Sequence, residues 1–139
     1  MNDYFVYLPY RREPSPRECI ATGAGCQRVL PGSHYPPVTH PIDHCLTWSE
    51  GRILHAYQIL FVTEGSGVFE SAPALRRIHI RAGMAFVLFP GVWHRYAPNT
   101  GTGWVEHWIE CRGRAFDRAK ALGIIRPEKP VTGYPLYSS

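Results

Sequence analysis

The chain has 139 residues, 45% of them hydrophobic, 19% charged and 13% aromatic, which is enough for one folded domain with a sizeable core. Thirteen glycines and thirteen prolines are interspersed with short apolar runs rather than repeated, which excludes collagen and low-complexity disorder and favours many strands and turns. The formal charge of +4 rests on scattered arginines (Arg11, Arg12, Arg76, Arg77, Arg112, Arg114, Arg118), not on the clustered stripe that nucleic-acid contact by this segment would need.

Residues 1–18 read as an irregular arm punctuated by Pro9, Pro14 and Pro16. Tyr4, Phe5, Tyr7, Leu8 and Tyr10 make it too apolar for a purely solvated tail, so the arm is expected to pack over the domain or over a bound ligand, with Tyr7, Leu8 and Pro9 as contact candidates. Cys19 to Val29 reads as a strand interrupted at Gly23 and Gly25. Residues 31–43, with Pro31, Gly32, Pro36, Pro37 and Pro41, read as a loop. Ile53 to Thr63 is a β-branched and aromatic strand, Glu64-Gly65-Ser66-Gly67 a turn, and Val68 to Ser71 its return strand.

Arg77-Ile78-His79-Ile80-Arg81 alternates with period two, one face wet and one in the core. Gly83 to Tyr96, with Pro90-Gly91 between its apolar halves, reads as a β-hairpin carrying His94 just inside its second strand. Phe86–Phe89, Trp93–Ala97 and Trp104–Cys111 complete the strands. Arg114 to Leu122 is the helix, with Phe116, Ala119 and Leu122 on one face and Gly123 as its C-terminal cap. Strands recurring every roughly 8–12 residues predict an all-β sandwich or barrel. The longest apolar run, Ala85 to Phe89, is too short to cross a bilayer. The N-terminus lacks the order of an export signal, and Cys19, Cys26, Cys45 and Cys111 form no CxxC pair. A cytoplasmic protein with reduced thiols is expected.

Strand parity locates the chemistry. On the last strand Trp104, Glu106, Trp108 and Glu110 share one face, opposite Val105, His107, Ile109 and Cys111. Two tryptophans around a carboxylate suit a polyol, whose C–H side packs on a ring while its hydroxyls donate to the carboxylate; an exposed edge or a subunit contact is the alternative. Gln58 shares a face with Leu60 and Val62 and needs a partner if buried. His94 and Tyr96 share a face, and the imidazole could be bonded to a backbone carbonyl, touch a ligand or bind a metal. A metal needs three or four converging donors. Arg52 could reach a barrel mouth to hold an anion or hydroxyl, or simply lie on the surface.

The run His55 to Gly67 followed by Gly83 to Tyr96 resembles the two halves of a cupin barrel, and more narrowly the N-terminal ligand-binding domain of AraC-type transcriptional regulators. The continuation Gly103 to Gly113 and the following helix are similar to the same regulators. The resemblance implies a cupin-type double-stranded β-barrel (jelly roll) with one short C-terminal helix, divided into an arm (1–18), a sensor barrel (19–112) and a helix with extension (113–139). It implies a small-molecule effector, and with the strand faces above the expected ligand is a sugar or polyol held by Gln58, His94, Tyr96, Glu106 and Trp108, with Arg52 at the mouth. It also implies a homodimer, and DNA contact only through helix-turn-helix units that this chain lacks. Metal-dependent cupins place two histidines and a glutamate before the Gly65 turn and a third histidine after the second turn. Here Gln58 stands at the glutamate's place and only His94 matches, so no metal, cofactor or catalysis is expected. The alternative is a stand-alone metal-dependent isomerase or dioxygenase.

Overall fold

The computed structural model describes residues 3–8, 19–36 and 44–133. Among them are eight strands and one helix: β1 (Tyr4–Tyr7), β2 (Ile20–Val29), β3 (Tyr57–Ser71), β4 (Ile78–Arg81), β5 (Met84–Leu88), β6 (His94–Pro98), β7 (Trp104–Arg112), α1 (Arg114–Ala121) and β8 (Val131–Gly133). All strand pairings are antiparallel. The main sheet runs β1-β2-β7-β3-β5-β8, and β4 and β6 flank the far half of β3. This is a cupin-type β-barrel with one short helix.

The long strand β3 organises the barrel. Its first half pairs with β7 and β5, its second half with β4 and β6. The turn expected at Glu64-Gly65-Ser66-Gly67 is therefore a bend within one strand. The register against β7 slips between Val62 and Glu64, a bulge that sharpens the local twist. Gly65 has φ +83, and a Cβ there would lie 2.1 Å from the Gly103 carbonyl oxygen. Glycine thus lets the strand pass from one sheet to the other without reversing.

The hairpin expected over Gly83–Tyr96 is also corrected. Strands β5 and β6 both run antiparallel to β3, so they point the same way and cannot close a tight turn on each other. The Pro90-Gly91 segment instead arches between the sheets. Gly91 N–H donates to the Leu54 carbonyl at 2.9 Å, and Arg52 and His94 exchange backbone bonds at 2.8 and 3.0 Å.

Gly23 and Gly25 do not interrupt β2, which is continuous. They make room: a Cβ at Gly25 would sit 2.4 Å from the Trp108 ring. Strand β1 lies on the edge of β2, from Tyr4 opposite Cys26 to Tyr7 opposite Gly23, so the described part of the arm is a sheet strand. Pro9 and the rest of the arm, like residues 37–43 of the loop, lie outside the described residues.

Leu60, Val62, Phe69, Phe86, Leu88 and Trp104 form the heart of the core, with Phe69 and Phe86 ring centres 4.6 Å apart. Each such side chain contributes about 1.5–3 kcal/mol by leaving water. Helix α1 buries no residue fully and packs Phe116 on Tyr57 from outside the barrel. Of its expected apolar face Leu122 is 70% exposed, because it falls at the C-cap, where the chain turns away at Gly123. The closing strand β8, on β5, had no sequence signal. No helix among the described residues is long and apolar enough to cross a membrane.

Gly65→Ala should cost about 2 kcal/mol or more, since it combines a left-handed backbone with a clash against backbone atoms. Urea denaturation measures this; a cost under about 0.5 kcal/mol would contradict the bend described here.

Candidate functional site

Alternation along the strands aims one set of polar groups into the barrel. Trp104, Glu106, Trp108 and Glu110 of β7 are all buried, whereas Ile109 between them is 41% exposed. Their neighbours across the sheet are set by register: Glu106 lies between Gln27 and Val62, Trp108 between Gly25 and Leu60, and Glu110 between Gly23 and Gln58. Strand β6 sends in His94 and Tyr96 from the opposite wall. Arg52 reaches the same space because its backbone is bridged to His94.

Glu106 is 3% exposed. Its carboxyl group accepts from the Tyr35 hydroxyl at 2.8 and 3.1 Å and from the Trp104 indole N–H at 2.9 Å. Burial pushes its pKa up from 4.5 to about 7, against the pull of those donors and of the Arg52 charge. Arg52 spends its donors in three directions: Nε on His94 Nε2, Nη1 on the His44 carbonyl and Nη2 on the Tyr96 hydroxyl, each at 3.0 Å. A guanidinium only donates, so His94 Nε2 is the acceptor and Nδ1 carries the proton, directed at the Val92 carbonyl 3.3 Å away. Burial and Arg52 together lower the His94 pKa from 6.5 to about 3, so the ring is neutral. Burial likewise raises the Tyr35 and Tyr96 hydroxyls, which stay protonated. Beside them, His44 Nε2 donates to Glu110 at 2.9 and 3.0 Å, and Tyr7 packs between the His44 and Trp108 rings, 4.2 and 5.3 Å between centres.

One cavity is bordered by Gln58, Tyr96, Glu106 and Trp108, by Arg52, and by Tyr7 from the arm. His94 does not border it; it stands behind Arg52 and orients the guanidinium. Tyr35, Pro36, His44 and Leu46 complete the lining and were missed in the sequence, where they sit in or beside a proline-rich stretch with no periodicity to read. The free space within it is about 20 Å³, room for a water molecule or two and not for a sugar. Among the described residues no three His, Cys, Asp or Glu side chains converge as metal donors. The lone pair with which His94 would bind a metal is taken by Arg52.

Residues 49–136 match the model of the family described as AraC-like ligand binding domain. No curated protein sequence matches the chain. Among solved structures the chain is similar to the protein YhaK from Escherichia coli, with a TM-score of 0.55 at 12% identity, over 99% of this chain and 52% of that one. The chain therefore spans about half the length of that protein, and the likeness concerns the fold.

The two shifted groups act oppositely on stability. Below pH 4.5 Glu106 is protonated whether folded or not; from there to about pH 7 only the folded state keeps the proton, so this group lowers stability as pH rises. His94 stays neutral in the folded state down to about pH 3 while the unfolded chain takes up a proton below 6.5, so its contribution is lost as pH falls. Glu106→Gln should remove the first slope alone. The plot of unfolding free energy against pH should then become steeper by up to about 1.4 kcal/mol per pH unit between those limits, relative to the unmutated chain. Urea titrations across pH 4–8 read this directly, and parallel curves would refute the burial of a charged-or-neutral Glu106 as described.

Proposed function

This chain belongs to the family of AraC-like ligand-binding domains, and we propose that it is the effector-sensing and dimerisation domain of a transcriptional regulator, responding to a small hydroxylated molecule of the sugar or polyol kind. The observation that carries the reading is the pairing of an acceptor and a donor around one cavity: buried Glu106 on one wall, Arg52 on the other, with the Tyr96 and Trp108 rings between. A polyol needs such a set, since adjacent hydroxyls donate to a carboxylate and accept from a guanidinium while ring C–H groups lie on aromatic faces. Gln58 adds an amide that can do either.

Strand β1 offers a route from ligand to regulation. Tyr7 lines the cavity and packs on both Trp108 and its strand neighbour Phe5, so an occupant of the cavity changes the energy of that packing. Effector binding then biases the arm and the contact with a second copy to the extent that the two arrangements bind it with different affinity. In this reading the protein is cytoplasmic and not an enzyme. It uses no metal or cofactor, and DNA contact falls to the helix-turn-helix units of the whole regulator.

Thermal-shift screening against pentoses, hexoses and sugar alcohols tests the proposal. A cognate effector at about 100 times its Kd adds about 2.7 kcal/mol, which is several degrees in Tm for a domain of this size. Trp108→Ala and Glu106→Gln should each weaken that response at least tenfold in Kd. Absence of any polyol response would sink the reading, and near-stoichiometric iron, manganese, nickel or zinc by elemental analysis would favour a metal-dependent enzyme instead.

A further inference from the structure

The carboxylate at the centre of the cavity is not waiting for a hydroxyl; it already holds one from the chain itself. The Tyr35 hydroxyl donates to both Glu106 oxygens, at 2.8 and 3.1 Å. Its ring stands edge-on to Trp104, with centres 6.2 Å apart, and tilted against Tyr96 at 6.3 Å. Tyr35 thereby fills the space between the Tyr96 ring and the Glu106 carboxyl group, and with its ring in place only about 20 Å³ is left free.

We infer that Tyr35 is an internal surrogate ligand: the effector is a six-membered ring bearing a hydroxyl, a pyranose or a phenol, and it binds by expelling the Tyr35 ring and taking over its bond to Glu106. This rests on the effector-sensing reading and adds to it both the ligand's shape and a gate. Tyr35 belongs to no strand or helix and follows the turn at Pro31-Gly32, so withdrawing it breaks no sheet pairing. The Trp104 indole, which packs on the ring and donates to the same carboxyl group, remains to orient Glu106 toward the newcomer. Expulsion of the ring moves the segment around Tyr35 in every liganded molecule, which makes that segment, besides the arm, a carrier of the signal.

The probe that matches the proposal most closely is p-cresol, which is the tyrosine side chain as a free molecule, with toluene as its hydroxyl-free counterpart and methyl glucopyranoside as the pyranose. Tyr35→Ala should open a ring-sized space ending at Glu106. It should bind p-cresol at least tenfold more tightly than the unmutated chain by calorimetry, and prefer p-cresol to toluene at least fivefold. If Tyr35→Ala does not fold, Tyr35→Phe keeps the ring but loses the tether, and should bind p-cresol or the glucoside at least threefold more tightly than the unmutated chain. Equal affinity across these chains, or toluene binding as well as p-cresol, would overturn the inference. The outcomes separate the two readings. A polyol response in the unmutated chain with no gain on mutation removes the gate and leaves the sensor. A p-cresol gain in Tyr35→Ala with no polyol response in any chain removes the sugar sensor and leaves the phenol-shaped site.

Discussion

A carboxyl group enclosed in an apolar barrel is the constraint around which the interior is arranged. Leaving Glu106 without partners would cost several kcal/mol, and pairing it directly with a buried cation would require desolvating two charges at once. The barrel does neither. Two neutral donors, the Tyr35 hydroxyl and the Trp104 indole N–H, bind Glu106, while Arg52 donates to the Tyr96 hydroxyl instead of to the carboxyl group. Each of these bonds pairs a donor and an acceptor that burial would otherwise leave unpaired. The raised pKa of Glu106 is the residue of cost that the network leaves uncompensated.

The rest of the structure serves that arrangement at a distance. His94, the imidazole that first draws attention in the sequence, holds Arg52 by its ring nitrogen and carries the backbone bridge that brings Arg52 inside. Its own proton is anchored on Val92, so it is a positioning residue behind the site. Gly25 lets the Trp108 ring lie flat against β2, and the bend at Gly65 brings the β6 wall over the β7 wall. The apolar half of the barrel, built on Leu60, Phe69, Phe86 and Leu88, gives these walls a rigid base. Tyr35 and His44 come from outside the strands, so the lining joins loop residues to a scaffold of strands.

The legible and illegible parts of the site differ for a physical reason. Parity along β7 and β3 identified Glu106, Trp108 and Gln58 because a pleated strand alternates faces whatever surrounds it. Tyr96 was reachable in the same way, whereas Arg52, ahead of β3, was suggested only by its place before a strand and its charge. Tyr35 and His44 were not, because their position depends on how a proline-rich segment folds back over the barrel and leaves no period in the sequence. The same limit explains the misread turns. Glycine signals a backbone that must bend or admit a neighbour, but not which: at Gly65 it marks a strand changing sheets, and at Gly25 a neighbouring indole.

From its sequence alone, this chain is committed to an all-β barrel with one short helix, a family resemblance to AraC-like sensors, and a strand whose inner face carries a carboxylate between two tryptophans. Those follow from local composition and alternation, which act over a few residues. Only the tertiary structure decides that β5 and β6 are not partners, that His94 serves Arg52, and that the Tyr35 hydroxyl donates to Glu106. Tyr35 and Glu106 are 71 residues apart, and their contact exists only once the barrel has closed and excluded the water that would otherwise satisfy both.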